Sequence, residues 1–163
     1  MQSINRCIIH KQLKEKDTDK FIKLLEYYKK ELPDLDETKN NVHTKNGFHT
    51  GNILQFKKFK KYAKLIKPHI PYLQKLDLFH IHLIHFYNKG YEGAHDHAKT
   101  EDFSFIAYLQ DSEDGYTCLK INNNVIKIKP EKGKLIFFPS NIWHWGEPSS
   151  GNKKIAVGAL KIK

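Results

Sequence analysis

The sequence predicts a mainly β domain with helices in front. Two amphipathic helical stretches occupy the first 76 residues, and seven short apolar runs separated by turn residues follow. The runs are 78–87, 103–109, 116–121, 125–129, 134–138, 142–146 and 153–162. Between them stand Asn88-Lys89-Gly90, Ser112 to Gly115, Asn122 to Asn124, Pro130 to Gly133 and Ser149-Ser150-Gly151. Many short strands with regular punctuation indicate a sandwich or barrel. A chain of 163 residues suits one domain with one sizeable core. We therefore read 1–163 as a single domain, with 1–76 as helical support and 77–163 as a β-roll.

In chain order, Ile4 to Ile9 reads as a strand, and Asp17, Thr18 and Asp19 offer N-caps for a first helix. Phe21, Leu24, Leu25, Tyr28 and Leu32 recur at helical spacing until Pro33 closes the helix. Residues 34–52 are polar, carry Asn46-Gly47 as a turn signal, and read as a loop long enough to cover a site. From Ile53 a second helix presents Phe56, Phe59, Ala63 and Ile66 as its apolar stripe, with Lys57, Lys58, Lys60, Lys61, Lys64 and Lys67 around it. Pro68 and Pro71 end it.

Composition removes several function classes. No apolar run approaches the roughly 20 residues of a membrane span. The first ten residues lack the layout of a secretion signal. Cys7 and Cys118 are too far apart for a zinc ribbon or a disulfide scaffold, so a reducing cytoplasm is expected. The net charge of +10 is uneven. Residues 1–75 hold 17 Lys and Arg against 8 acids, and residues 76–163 hold 11 against 10. The basic half would attract an acidic or anionic substrate or partner, nucleic acid included, unless it is only a solvated lysine surface.

The chemistry concentrates in the other half. His95 and His97 are spaced His-x-His, and His144 follows 47 residues later. Residues two apart on a strand share a face, and a third histidine completes a triangle that leaves the far side of a metal open, as a catalytic site requires. In the strand 103–109, Ser104, Ile106 and Tyr108 share a face. In 142–146, His144 points away from Trp143 and Trp145, which are expected to pack beneath the helices. In the last strand Lys154, Ala156, Gly158 and Leu160 share a face, and the small residues leave a slot with a cation at its end. Lys153 and Lys154 are adjacent, and either can face out. His80 and His82 fall on one face and His85 on the other. We read the first two as lining a substrate mouth or a wet sheet edge.

These residues resemble the Fe(II)/2-oxoglutarate-dependent dioxygenases, in particular the prolyl-4-hydroxylase-like branch and small phage-type oxygenases. The matching stretches are His95-Asp96-His97, Asp102 to Leu109, Gly133 to His144 and Asn152 to Val157, all in the second half of the chain. The resemblance implies a double-stranded β-helix, or jelly roll, of cupin-like shape. It implies Fe(II) held by His95, His97 and His144, with 2-oxoglutarate as cosubstrate and O2 as oxidant. It assigns Lys154, ten residues after His144, to the distal carboxylate of 2-oxoglutarate. Tyr108 matches a strand tyrosine that bonds the cosubstrate. Ser104 on the same face and Tyr87 before the ligand strand are further cosubstrate candidates.

One departure stands out: the family motif is His-x-Asp, and here His97 takes the third position while Asp96 should point to the opposite face. Three imidazoles leave the site one unit more positive, and they suit zinc, nickel or copper as well as iron. The expected activity is hydroxylation of a C–H bond on a peptide, amino acid or nucleic-acid component. Two alternatives belong to other classes: a cupin-type three-histidine enzyme without 2-oxoglutarate, and a non-catalytic basic jelly-roll binding module.

Overall fold

A computed structural model describes residues 7–41, 43–71 and 75–163. Residues 4–6 of the expected first strand lie outside them, and β1 runs Ile9–Gln12. The first helix, α1, spans Glu15–Glu31 and buries Thr18, Phe21, Leu24, Leu25 and Tyr28, the spacing that the sequence shows. It starts earlier than the expected caps. Thr18 sits inside the first turn and donates from Oγ1 to the Glu15 carbonyl at 2.7 Å. Glu15 and Asp17 in that turn suit the positive end of the helix dipole.

The polar stretch 34–52 is not all loop. Its second half forms β2, Thr44–His49, paired antiparallel with the long strand β3, Leu76–His95. Asn46, at φ 48°, makes a bulge in β2 and not a hairpin turn. The expected second helix is also broken. It consists of 3-10 turns at Ile53–Gln55, Lys57–Tyr62 and Lys67–His69 around a single α turn, α2, Ala63–Ile66. Phe59, Ala63 and Ile66 still reach the core. Like charges three and four residues apart, as in Lys57, Lys60, Lys61 and Lys64, oppose a regular helix.

The remaining strands are β4 (Phe103–Tyr108), β5 (Thr117–Ile121), β6 (Asn124–Ile128), β7 (Lys134–Pro139), β8 (Trp143–Ser149) and β9 (Lys154–Ile162). They pair in the order β1-β7-β4-β9-β3-β8-β5-β6, with β2 also on β3, in one curled antiparallel sheet of jelly-roll form. The sheet takes in β1 and β2, so the first 76 residues are more than helical support.

Strand β3 joins the two halves of the roll: residues 76–85 pair with β9 and residues 90–95 with β8. The turn signal Asn88-Lys89-Gly90 is therefore a bend within a continuing strand. Asn88 and Lys89 are left-handed at φ 51° and 59°, and a Cβ on Gly90 would overlap the Asn46 carbonyl.

Strict alternation divides the core in two. Phe105, Ala107, Leu135, Phe137, Ala156, Leu160, Ile81 and Leu83 face α1 and the 3-10 turns. Ile106, Tyr108, Ile136, Phe138, Ile155, Ile84 and Phe86 face the inside of the roll. Two expectations fail on this geometry. Trp143 and Trp145 do not lie beneath the helices; Trp143 is 51% exposed, because β8 belongs to the half of the roll that the helices do not cover. The slot over Ala156 and Gly158 faces the helices and is filled by the Phe105 ring. A Cβ at residue 158 would overlap that ring and the His80 carbonyl. Gly158→Ala is accordingly expected to lower stability by about 2 kcal/mol, and an unchanged urea midpoint would refute this packing.

Candidate functional site

His95 and His144 are direct cross-strand partners on β3 and β8, both more than nine-tenths buried. His97 follows the end of β3, not on the strand as expected. Its backbone N–H donates to the Ser140 carbonyl at 2.8 Å, and its own carbonyl accepts from Thr100 N–H at 2.9 Å. The three side chains nevertheless converge, each offering one nitrogen within 4.8 Å of the others. Ring centroids are 4.4 Å apart for His95 and His144, 4.7 Å for His95 and His97, and 5.3 Å for His97 and His144.

Backbone carbonyls set the tautomers. Nδ1 of His95 donates to the Gly93 carbonyl at 2.7 Å, and Nδ1 of His144 to the Ile142 carbonyl at 2.9 Å. Each Nε2 therefore keeps a free lone pair for a metal. Burial, reinforced by neighbouring imidazoles, pushes His144 down to about 3 and His97 down to about 4, so both are neutral and ready to ligate near pH 7. Asp96 stays out of the cluster and caps the Ala98 N–H at 3.2 Å.

The triad sits in the wall of a cavity of about 330 Å³ inside the roll. Other walls are Ile84, Phe86, Ile106, Phe138 and Ile155, with His80 and His82 on the same face of β3, as alternation requires. His80 Nε2 and His82 Nδ1 are 3.0 Å apart. His85, on the opposite face, contacts Lys29 Nζ at 3.1 Å. The segment 34–52 does cover one side, since His43 stacks on His95 at 4.3 Å and His49 stacks on His82 at 4.3 Å.

The expected cosubstrate residues separate. Ser104 lines the cavity, where its Oγ donates to Glu101 Oε1 at 2.6 Å. Tyr108 lies in the inner core, fully buried, next to Thr117 of the cavity wall. Neither hydroxyl has a hydrogen-bond partner among the described residues. Tyr87 is not part of the cavity lining; its hydroxyl donates to the Gly47 carbonyl at 3.2 Å.

Lys154 is the main correction. It does share a face with Ala156 and Leu160, but that face meets α1, where Lys154 Nζ lies 3.5 Å from Glu26. The cation inside the roll is Lys153, in phase with Ile155 and Val157 and 2% exposed. Its Nζ lies over Gly146, 3.2 Å from where a Cβ would stand, and 5.3 Å from the Phe86 ring centre. Among the described residues no carboxylate comes within 4.0 Å of it. Gly146 pairs with Thr117 across β8 and β5. The buried Lys153 ammonium and the partnerless Thr117 hydroxyl thus line the same cavity as the three imidazoles, with Tyr108 behind Thr117. Such a set fits a metal ion together with a small organic anion.

Sequence reading missed two acids. Glu92 and Glu101 line the cavity, and burial pushes each carboxyl up to about 7. The buried groups make stability pH-dependent. His49, His97 and His144 stay neutral in the fold at pH values where the unfolded chain, titrating near 6.5, binds protons. Unfolding then takes up protons, so stability falls as pH is lowered from about 6.5 to about 4. Glu92 and Glu101 oppose this, since they hold protons that the unfolded chain has released above about 4.5. The histidines prevail by number, with His80, His82 and His95 lowered as well. One net proton corresponds to about 1.4 kcal/mol per pH unit. A urea midpoint of metal-free protein that holds steady over this range would contradict the assignment.

The sequence profile of the 2OG-Fe(II) oxygenase superfamily matches residues 58–160. No curated protein sequence matches the chain. Among solved structures, the chain is similar to a Pseudomonas putida prolyl-4-hydroxylase, with TM-score 0.70 and 11% identity over 96% of this chain and 93% of that one. It is also similar to the viral collagen prolyl hydroxylase of Paramecium Bursaria Chlorella virus-1 in its 2OG complex, with TM-score 0.60 and 19% identity over 94% and 95%. A third is a Trichoplax adhaerens prolyl hydroxylase in complex with a hypoxia inducible factor peptide fragment, with TM-score 0.69 and 14% identity over 96% and 83%.

Proposed function

Because the chain belongs to the 2OG-Fe(II) oxygenase superfamily, whose members use Fe(II), 2-oxoglutarate and O2, we propose that it hydroxylates a C–H bond of a peptide, amino acid or nucleic-acid component. One observation carries the reading: three lone-pair-bearing imidazoles and a buried lysine, with no carboxylate within 4.0 Å of it among the described residues, line one cavity. When bound, iron and 2-oxoglutarate would activate O2, the oxidant, one oxygen atom ending in succinate as CO2 leaves and the other in the hydroxyl that replaces the substrate hydrogen.

His95, His97 and His144 would hold the metal. Lys153 would pair with the distal carboxylate, and the Thr117 hydroxyl on the cavity wall is free to donate to it. Ile84, Ile106, Phe138 and Ile155 keep water from that end. Phe79, 40% exposed, and His80 line the side on which a substrate can approach.

An acidic partner would meet Lys57, Lys58, Lys60, Lys61, Lys64 and Lys67, which are all exposed and without a carboxylate within 4.0 Å among the described residues. If nucleic acid is that partner, its binding falls steeply with salt. Among the described residues no helix is long and apolar enough to cross a membrane.

The test is an anaerobic titration of metal-free protein with Fe(II), then 2-oxoglutarate, following the visible charge-transfer band of the chelate. A band that His144→Ala abolishes supports the reading. Iron binding without a band favours the three-histidine enzyme that needs no 2-oxoglutarate, and no metal binding at all removes the oxygenase reading.

A further inference from the structure

Glu92 and His95 share the cavity face through an irregularity in their strand. Regular alternation puts residues 93 and 95 on one face of β3 and residue 92 on the other. Here the register of β3 against β8 shifts between Gly90 and Glu92 and again between Glu92 and His95, so that Glu92 and His95 both line the cavity. Bulges re-aim side chains in this way.

Thr44 Oγ1 donates to Glu92 Oε2 at 2.7 Å and holds the carboxylate in one orientation. Oε1 is left 3.9 Å from His95 Nε2, the nitrogen whose lone pair is free. Two atoms each about 2.1 Å from a shared ion stand about 3.0 Å apart at a right angle and about 4.2 Å apart across it. The observed spacing falls inside that span.

The Glu92 carboxyl makes no ion pair with the Lys153 ammonium, although that cation is near enough to favour its charged form. The Glu92 side chain is 18% exposed, and no Lys or Arg nitrogen comes within 4.0 Å among the described residues. Lys153 Nζ and Glu92 Cβ flank the same point over Gly146, at 3.2 and 3.3 Å, yet the carboxylate turns toward Thr44 and His95. A buried carboxylate without an ion-pair partner is costly. The triad itself brings no negative charge to a dication.

We infer that Glu92 is a displaceable fourth protein ligand of the resting metal, one that withdraws when a chelating ligand arrives. This rests on the reading of the triad as a metal site. Among the described residues the converging group takes in the three histidines and not Glu92, whose Oε1 stands near His95 at the edge of the site, as suits a ligand that can leave. Withdrawal is required for turnover. Three imidazoles and a bidentate keto acid take five of the roughly six positions of an octahedral metal, and a carboxylate that stayed would fill the last.

The experiment compares wild type with Glu92→Gln, each loaded with Co(II), by visible absorption and by equilibrium metal titration. The inference expects different ligand-field spectra without 2-oxoglutarate and coincident spectra at saturating 2-oxoglutarate, with Co(II) affinity weakened about tenfold or more in the variant. Spectra that coincide without 2-oxoglutarate overturn it, as does a difference that 2-oxoglutarate leaves in place. Should Glu92→Gln fail to fold by circular dichroism, Glu92→Ala takes its place with the same criteria. A wild-type protein that binds no Co(II) overturns the metal-site reading and this inference together. Coincident spectra in a wild type that does bind Co(II) overturn this inference alone.

Discussion

Lys153→Met is expected to weaken 2-oxoglutarate binding about 100-fold in the metal-loaded protein, whereas Lys154→Met leaves it within about twofold. The two lysines are neighbours in the chain and opposites in environment. Lys153 is 2% exposed, with its ammonium inside the roll and no carboxylate within 4.0 Å of it among the described residues. Losing one partner of a fully desolvated charge pair costs about 3 kcal/mol, which corresponds to about two orders of magnitude in Kd. Lys154 meets Glu26 at 3.5 Å on the helix side, a half-exposed pair worth under about 1 kcal/mol to stability. Anaerobic calorimetric titration of both variants decides the matter, and a larger loss for Lys154 would reverse the assignment. Burial also pushes the Lys153 ammonium down to about 8. Wild-type affinity should therefore decline as pH rises past that value, because the cation is lost.

His144→Ala is expected to weaken metal binding by more than about 100-fold, with turnover of 2-oxoglutarate to succinate falling in step. Removing even an outer partner of a metal-bound histidine costs about 10- to 100-fold, and His144 supplies one of the three nitrogens that converge among the described residues. Its ring is buried, held by Ile142 and packed against Phe138 at 5.1 Å, so it enters the site already oriented. Metal content after dialysis against a weak chelator measures the loss. Retention of a stoichiometric ion would show that the triad is not where the metal sits. The His80–His82 pair, 3.0 Å apart, would then be the place to look.

The jelly roll and the triad were legible because both rest on signals local in sequence. Turn residues mark the strands from β4 onward, and the His-x-His spacing and the single His144 between two tryptophans can be read from the chain itself. Lys153 against Lys154 shows where that legibility stops. Alternation correctly groups Lys154 with Ala156, Gly158 and Leu160, but which face meets the helices depends on the whole sheet. The small residues that suggested a ligand slot instead admit Phe105. Had Ile155 and Val157 been read as the inner wall, Lys153 would have followed from the same period of two.

Glu92 carried no such signal, since its sharing a face with His95, three residues on, depends on register shifts that no local pattern announces. β2 was hidden for a related reason: Thr-Lys-Asn-Gly-Phe-His alternates poorly and is bulged at Asn46, so its pairing with β3 comes from tertiary context.

The long strand β3 also dictates when the site can come into being. Its first half pairs with β9, Leu76 facing Ile162, and its second half brings His95 opposite His144 from 49 residues downstream. Every one of these pairings closes a long loop, and such contacts form late. A nascent chain or a partly folded intermediate thus has no assembled triad to offer an ion. The metal cannot nucleate this protein as it does a zinc finger, whose ligands lie close together in sequence. It acts as a latch on a finished roll, and because only the native state binds it, available metal draws the population of open forms down by mass action.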